Sequence, residues 1–460
     1  MNVSQELAKH IANVQYDDLP LRVVDVTKNC IMDTIGVILA ASTLGEGIQA
    51  FVKVVKQEGG FPQSTIIGFE QKVPASAAAF VNGSMAHALD FGESHDTALV
   101  HASSQTIPAA LAVAEAVGGI SGQDFITAVA VANDLVCRLG LSIKENALVY
   151  GWYMPPILGA FGATAAAGKV LNLSEKQLLD AFSLTLCQAT CSAEITQDRT
   201  TQIRSIRDAF ASRAGVTSAL LAKEGVRGFE QPFEGKRGFF YAFVRNQYDP
   251  DELLKDLGKR YEGAGVSFKP WPSCRGTHPY IECALKLKER FQIRAEEVKE
   301  IKATVNSVNQ MLICEPLEGK LKPKGAINAK FSLPYVLAVA LVYGNVSLEH
   351  FLPEATQNRE VLALAERFRY EVDPRLDLKD TLKGFLEIKT VDNRVLSQEV
   401  DVPLGHPDHP MSQRDLIQKF RNCSRYAAKK IGEKKLKSLI EIFEGFEEIK
   451  TINQMTNLLS

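Results

Sequence analysis

The sequence lacks the features that define several common classes of protein. It has eight cysteines in 460 residues but no Cys-x-x-Cys pair, which predicts neither a disulfide framework nor a zinc site and favours a reducing compartment. It also has no uninterrupted apolar run of the roughly 18 residues that a membrane span needs, and the first twenty residues lack the basic head and apolar core of a signal peptide. We therefore expect a cytoplasmic protein with no membrane partner.

An excess of charge of one sign is absent too. Lysine and arginine total 52 against 54 aspartates and glutamates, a formal net charge of -2, so no long-range attraction to nucleic acid is expected. An anionic substrate must then be held by a local group of basic residues. Hydrophobic residues at 46% and charged residues at 23% are typical of a compact protein, and the length suggests two domains.

The first half of the chain has helical periodicity. Apolar residues recur there at three- and four-residue spacing. The windows that show it are 21–42, 74–90, 103–118, 121–143, 155–171, 174–190 and 205–224. Ser174 followed by Gln177 predicts a capping box, and Asp249 before Pro-Asp-Glu predicts another helix start. This half is therefore interpreted as a bundle of helices.

The pattern changes after about residue 265. Residues 298–307 and 385–400 alternate in the manner of strands, the latter with a turn at Asp392-Asn393, whereas 330–344 is helical. Helical periodicity returns from Ser412 onward. We predict a mainly α protein in which residues 1–265 plus 405–460 form a large all-helical domain and residues 266–404 form an inserted, smaller α+β lid domain.

A long, ordered set of motifs resembles the MmgE/PrpD family. Residues 59–91, GGFPQSTIIGFEQKVPASAAAFVNGSMAHALDF, are similar to the family block that runs from a Gly-Gly-x-Pro-Gln turn to His-Ala-x-Asp-Phe-Asp-Asp. Similar segments follow in the family's order: PPILGAFGATAAAGKVLNLS (155–174), AGVTSALLAKEGVRG (214–228), KPWPSCRGTHPYIECAL (269–285), AKFSLPY (329–335) and GHPDHPMS (405–412). On this resemblance the chain is identified as a member of the family.

The resemblance implies a function as well as a fold. The family includes 2-methylcitrate dehydratase, cis-aconitate decarboxylase and an iminodisuccinate epimerase, all of which act beside a carboxylate of a small acid. It implies a large helical domain, a smaller lid domain and a homodimer. It also implies that the protein requires neither a metal nor an organic cofactor.

Asp90 and His101 match acidic and histidine positions of the family's active site. Asp90, in HALDF, would be an acid, a base or an orienter of a neighbouring cation, with a helix-terminal surface carboxylate as the alternative. His101 would shuttle a proton or bind a substrate carboxylate, with a structural histidine as the alternative. The sequence departs from the family where Gly92-Glu93 replaces Asp-Asp and Ser94 replaces threonine. Ser94 is assigned to substrate binding.

Histidines and a carboxylate close together in the sequence raise the question of a metal. His87, Asp90, His95 and His101 would be the ligands, but their spacing matches no compact motif such as His-Glu-x-x-His, and the family is metal-free. We predict no metal site and interpret His87 as structural.

The segment 269–278 carries several candidates that the resemblance brings to the site. Lys269 would anchor a carboxylate or, if desolvated, act as a base. Cys274 stands where the decarboxylase branch has histidine and would line the site, with a buried inert thiol as the alternative. Arg275 and His278 are candidate carboxylate contacts. Tyr335, in AKFSLPY, either faces the cleft from the lid or is a core aromatic.

Two arginines open the helix predicted at 205–224. Arg204 stands where decarboxylase-like members carry lysine, and its planar guanidinium suits a carboxylate, so we assign it to substrate binding. Arg207 is a weaker second candidate. Solvent-facing residues at a helix start are the alternative for both.

Tyr153 is the most informative departure from the family. Dehydratases and decarboxylases generally have histidine at the position that Tyr153 occupies in GWYMPP. A tyrosine is a poor acid for expelling hydroxide, but it can be one of two protic groups that flank a carbon acid. A Lys269/Tyr153 pair would serve epimerisation, with Arg204 and His101 stabilising the enolate-like charge. A packed aromatic is the alternative.

These observations predict an isomerase or lyase that abstracts a proton next to a carboxylate of a small di- or tricarboxylic acid. Epimerisation of an iminodisuccinate-like substrate ranks first, dehydration like that of 2-methylcitrate second and decarboxylation like that of cis-aconitate third. An inactive dimeric binding or scaffold paralogue is the alternative from a different class. It is motivated by the loss of the acidic pair and of the histidine.

Overall fold

The computed structural model describes residues 2–198, 201–376 and 381–459, which separate into two compact units. Unit 1 comprises Met1–Ser267 and Ser412–Ser460, and unit 2 comprises Phe268–Met411. The boundaries that the sequence places after residues 265 and 404 therefore fall after residues 267 and 411. The second differs because Gly405 belongs with unit 2, where its carbonyl accepts the N–H of Phe268 at 2.9 Å.

Unit 1 is helical, as the periodicity predicts. Its first segment contains α1 (Val3–Asn13), α2 (Leu21–Leu44), α3 (Ile48–Glu58), α4 (Ala75–His87), α5 (Ser103–Val117), α6 (Gly122–Ser142), α7 (Met154–Val170), α8 (Glu175–Leu186), α9 (Ile203–Ile206), α10 (Asp208–Lys223), α11 (Phe239–Val244) and α12 (Pro250–Leu254). A short antiparallel ribbon, β1 (Ser64–Thr65) and β2 (Lys72–Val73), precedes α4. The capping box of α8 is present: Ser174 Oγ accepts the N–H of Gln177 at 3.3 Å, and the Gln177 side chain accepts the N–H of Ser174 at 3.0 Å.

Small residues let the central helices of unit 1 pack closely. A Cβ on Gly162 of α7 would lie 2.2 Å from Val136 Cγ2 of α6, and one on Gly215 of α10 would lie 2.5 Å from Ala163 Cβ. Neither gap admits a methyl group, so both positions need glycine. This packing brings the first residues of α5, α7 and α10 together with the last residue of α4, which is where the candidate site lies.

Among the residues that the structure describes, one helix, in unit 1, meets the length and composition of a membrane span. It is α6, and 89% of its apolar window is buried inside the protein, as in a core helix. The bent pair α2 and α3, which turns by 92°, passes the same test only if read as one span. The buried Arg138 of α6 donates to Asp134 at 2.7 Å and to backbone carbonyls, so the polar groups of this helix are satisfied by protein.

Unit 2 combines a four-stranded sheet with helices. The helices are α13 (His278–Phe291), α14 (Ser307–Asn309), α15 (Leu317–Leu321), α16 (Ala326–Lys330), α17 (Leu333–Tyr343) and α18 (Arg359–Ala365), and the strands are β3 (Val298–Val305), β4 (Phe368–Val372), β5 (Gly384–Thr390) and β6 (Val395–Val400). The strand order is β4-β3-β5-β6. β3 pairs with β4 in parallel and with β5 antiparallel, Ala303 opposite Leu386, and β5 and β6 form the predicted hairpin. The fold class is confirmed: mainly α, with a smaller α+β region.

The C-terminal segment returns to unit 1. It contains α19 (Gln413–Ser424), α20 (Glu433–Glu444) and α21 (Asn453–Leu459). Helix α19 packs on α2, and the space there is tight: a Cβ on Gly36 would lie 3.1 Å from the ring of Phe420. Both ends of the chain therefore build the same unit.

Candidate active site

The candidate site in unit 1 starts with the 88–102 loop, which joins α4 to α5. Asp90 has a left-handed backbone, with φ of 50°, a conformation that aspartate tolerates better than most residues. Its N–H donates to the carbonyl of His87 at 3.0 Å. This turn brings the buried Asp90 carboxylate back beside the end of α4, with Oδ1 lying 3.5 Å from His87 Nε2.

Glu93 fixes the second half of the loop. Its carboxylate accepts the N–H of Ser103 at 2.7 Å, which caps α5, and its carbonyl lies 2.8 Å from His101 Nδ1. Because a carbonyl can only accept, Nδ1 of His101 carries the proton and Nε2 is the basic nitrogen of that ring. The acidic residue that replaces the family's aspartate thus positions both the helix and the predicted histidine.

Arg207 is the cation at the centre of the cluster. Its side chain is 3% exposed, and its guanidinium donates to His87 Nε2 at 2.9 Å and to the carbonyl of Arg204. Since arginine has no acceptor, the Nε2 lone pair faces Arg207, so His87 is neutral with its proton on Nδ1. Burial opposes the charge of Arg207, but Tyr153, Asp208 and Asp90 together raise its pKa above the usual value.

Asp208 is the second buried carboxylate, after Asp90, beside the positive charge of Arg207. It is the fully buried first residue of α10, where the helix N-terminus favours negative charge. Its Oδ2 accepts the hydroxyl of Ser104 at 2.7 Å and lies 3.8 Å from His87 Nδ1. The rings of His87 and His101 are 4.5 Å apart between centroids. The cluster thus joins two histidines of defined tautomer to a guanidinium and two carboxylates.

Tyr153 belongs to the same cluster. It is the residue before the first turn of α7, and its N–H donates to the carbonyl of Cys191 at 2.9 Å. The guanidinium carbon of Arg207 lies 5.1 Å from the centre of its ring, within the range of a cation–π contact. The residue that departs from the family is therefore in contact with the arginine that the sequence ranked second.

Three donor residues of the cluster lie close enough together to raise the question of a metal ion. Within the described residues, ligand atoms of His87, Asp90 and His101 lie within 4.8 Å of one another. The Arg207 guanidinium already donates a hydrogen bond to Nε2 of His87, and its positive charge would repel a metal cation at that position. The chemistry of this donor set therefore does not fit a metal. His95 lies outside the group: its Nδ1 accepts the N–H of Ala98 at 3.0 Å, and burial lowers its pKa.

The other two predicted residues of unit 1 have structural contacts. The hydroxyl of Ser94 donates to Asp96 at 3.1 Å, and its backbone pairs with Ser267 through hydrogen bonds of 3.0 and 2.7 Å. Arg204 lies on α9, and its carbonyl holds the guanidinium of Arg207. Their assignment to substrate binding remains a prediction.

In unit 2, Lys269 is buried, 1% exposed, in agreement with its apolar and proline-rich neighbours. Arg275 donates to His278 Nδ1 at 3.3 Å and to the carbonyl of Leu404 at 3.2 Å, and His278 Nε2 faces the carbonyl of Ser273 at 3.3 Å. These contacts fix His278 as neutral with the proton on Nε2. The buried Cys274 donates its N–H to the carbonyl of Lys330 at 3.0 Å.

Tyr335 is a core residue of unit 2. It is fully buried in α17, and its hydroxyl lies 2.6 Å from the carbonyl of His350 and 3.3 Å from that of Ala355. Burial raises its pKa. The structure thus favours the core alternative over the cleft-facing one.

The sequence patterns made Arg207 a second candidate, indicated a structural His87 and did not single out Asp208. Arg207 ranked below Arg204 because adjacent basic residues at a helix start look alike in sequence. The available signal was Ser-Ile-Arg-Asp at 205–208, where an acid at the first helical position beside an arginine indicates a compensated pair.

Two protein-family models match the chain. The MmgE/PrpD N-terminal domain matches residues 5–251, and the MmgE/PrpD C-terminal domain matches residues 271–444. These matches cover most of the chain, and so the chain belongs to the MmgE/PrpD family. The resemblance noted in the sequence is confirmed.

Two groups of characterised relatives refine the class. The chain is 27% identical to cis-aconitate decarboxylase of Mus musculus and 26% identical to that of Homo sapiens, over 100% of this chain and 93% and 94% of those proteins. It is 23% identical to 2-methylcitrate dehydratase of Salmonella typhimurium, over 83% of this chain and 82% of that protein. These relatives indicate an enzyme of the lyase type. They give no support to ranking epimerisation first.

Proposed function

We propose that the protein is a lyase that decarboxylates a small tricarboxylate of the cis-aconitate kind. The observation that carries the proposal is the buried cluster in which Arg207 joins Tyr153 to His87, because it combines a cation with groups that can move a proton. Similarity to the decarboxylases over the whole chain favours this reaction over dehydration.

Decarboxylation needs a cation and a proton donor. When the bond to the departing carboxylate breaks, its electron pair stays on the carbon chain and spreads onto a neighbouring carboxylate as CO2 leaves. Cations stabilise that enolate-like charge. A proton then bonds to the carbon and completes the product. Lys269, Arg204 and Arg275 are the groups we assign to the substrate carboxylates.

Tyr153 suits the proton-donating step better than a dehydration. A phenol is too weak an acid to expel hydroxide readily, but a carbanion next to a carboxylate is basic enough to take its proton. Nε2 of His101, left unprotonated by the bond from Nδ1 to Glu93, would take up a proton from solvent and pass it to the phenolate. Asp90 would orient the pair.

Three alternatives predict different products. A 2-methylcitrate dehydratase activity would release water, with His101 as the acid. An epimerase would use Lys269 and Tyr153 on opposite faces of one carbon and release nothing. A binding or scaffold paralogue would bind a carboxylate without turnover. We include the homodimer in the proposal, and light scattering in solution would test it.

A substrate panel in heavy water distinguishes these outcomes. The protein is incubated separately with cis-aconitate, 2-methylcitrate and iminodisuccinate, and products are followed by NMR and a CO2 trap. We expect CO2 from cis-aconitate and one deuterium in the product. Water loss from 2-methylcitrate alone would favour the dehydratase. No turnover and no deuterium exchange with any of the three would favour the binding paralogue.

A further inference from the structure

A buried lysine of the C-terminal segment contacts the loop that carries Asp90. Lys419, on α19, is 6% exposed, and its ammonium lies 2.6 Å from Asp33 Oδ1 of α2. It also donates to the carbonyl of Phe91 at 2.6 Å and lies 4.0 Å from the centre of the Phe91 ring. An ammonium has three donors, and here one group binds a carboxylate, a carbonyl and an aromatic face.

These contacts hold the backbone immediately after Asp90. Upstream, the N–H of Asp90 is bonded to His87; downstream, the carbonyl of Phe91 is bonded to Lys419. Between the two bonds the backbone of Asp90 is left-handed, a conformation that a non-glycine residue keeps only where its surroundings hold it. Both the ring and the carbonyl of Phe91 are fixed by the same charge.

We infer that Lys419 is a positioning residue for Asp90: through Phe91 it fixes the turn that presents the Asp90 carboxylate to His87 and Arg207. This inference rests on the proposed role of Asp90 in the reaction. Lys419 and Phe91 are 328 positions apart in sequence. The C-terminal segment therefore contributes to the site without supplying a group that touches substrate.

A purely structural ion pair predicts something different. If Lys419 only holds α19 on α2, its loss lowers stability and nothing else. Replacing a buried ion pair by apolar residues is often neutral for stability. The double variant Lys419→Met/Asp33→Leu therefore removes the hold on Phe91 without leaving a buried charge, and it separates the two roles.

The test measures kcat, KM and Tm of that double variant with the most active substrate of the panel. We expect Tm within a few degrees of the wild type, kcat lower by about tenfold to a hundredfold, as for a misplaced reacting group, and KM changed much less. Asp33→Asn, which keeps the ammonium on Phe91, should lower Tm but leave kcat within about twofold. Lys437→Met, which removes an exposed lysine 3.8 Å from Glu441, is the matched control.

A second measurement tests the inference even if the double variant does not fold. It also applies if the protein lacks the proposed activity. Amide hydrogen exchange is followed without substrate in peptides that cover residues 88–102. We expect Lys419→Arg, which keeps the charge beside Asp33 but displaces the donors, to speed exchange in this loop and not in α2. If the wild type turns over no substrate, the proposed function is wrong. Amide hydrogen exchange in the 88–102 loop then tests the positioning role of Lys419 by itself. Unchanged exchange in Lys419→Arg, or a folded double variant with wild-type kcat, would overturn the inference.

Discussion

The charged groups of the two units are arranged in different ways. In unit 1 the buried Arg207 is surrounded by Tyr153, Asp208 and Asp90, so its charge is compensated by acids. In unit 2 the buried Arg275 bonds to a histidine nitrogen and a backbone carbonyl, and Lys269 is buried in the same segment. Unit 1 therefore gathers acids, bases and a cation around Arg207, and the 269–278 segment of unit 2 carries two buried cations and a histidine.

This difference suggests a division of tasks. A compensated cluster can move a proton without gaining net charge, whereas buried cations attract an anionic substrate and stabilise charge that develops on it. In the proposed reaction the cluster around Arg207 moves the proton, and Lys269, Arg275 and Arg204 are the groups assigned to the substrate carboxylates.

Lys269→Ala should cause the largest loss of activity. It removes a buried cation that we assign to the substrate carboxylate, and we expect kcat/KM to fall by about a thousandfold, the scale of a lost acid–base or charge-stabilising group. Steady-state kinetics on cis-aconitate measure it. Lys286→Ala, at an exposed lysine that pairs with Glu282 in the same unit, is the control and should keep full activity. Equal activity of both variants would rule out the proposed binding role of Lys269.

Arg207→Lys should have a smaller effect, and mainly on kcat. A lysine keeps the charge but cannot bond to His87 and Arg204 with a planar fork, so we expect kcat to fall by about tenfold to a hundredfold. Arg213→Lys replaces an exposed arginine of α10, 4.0 Å from Glu58, and should behave as the wild type. An Arg207→Lys enzyme with raised KM and unchanged kcat would instead make Arg207 a substrate anchor.

Helices with strong periodicity were predictable from local sequence patterns. The apolar windows at 103–118 and 121–143 correspond to α5 and α6 within one residue at each end, because helix periodicity is a local property. Strand β4 was missed although its five residues, Phe-Arg-Tyr-Glu-Val, alternate, because the segment is short, is exposed at three positions and has no hairpin turn beside it. Its partner β3 lies far away in sequence.

The site was only partly predictable for the same reason. Motifs identified Asp90, His101 and Tyr153 one by one, and the structure brings all three to the cluster around Arg207. The tautomers of His87 and His101, the cap that Glu93 places on α5 and the contact of Lys419 with Phe91 depend on groups from distant segments. No local spacing encodes those distances.

Acid should destabilise unit 1 through His10. Burial, with Arg138 and Lys169 nearby, lowers the pKa of His10 from 6.5 to about 4. As pH falls from 6.5 to 4, His10 becomes protonated in the unfolded chain but stays neutral in the folded protein. The free energy of unfolding therefore decreases in that pH range. We expect the decrease in Tm between pH 7 and pH 5 to be smaller in His10→Gln than in the wild type. Identical decreases would contradict this assignment.

Tyr335→Phe should have the smallest effect on activity. Its hydroxyl bonds to carbonyls in the core of unit 2, so its loss should cost about 1 kcal/mol of stability and leave kcat/KM within about twofold. Denaturant unfolding and kinetics measure the two quantities. A large loss of activity with unchanged stability would restore the cleft-facing alternative for Tyr335.

Proton and CO2 accounting after partial conversion of cis-aconitate in heavy water tests the proposed lyase most directly. The proposal predicts one deuterium in each product molecule for each CO2 released, no deuterium in recovered substrate, and slower product formation in Tyr153→Phe. Deuterium that enters recovered substrate without release of CO2 would contradict decarboxylation and indicate reversible proton exchange at one carbon.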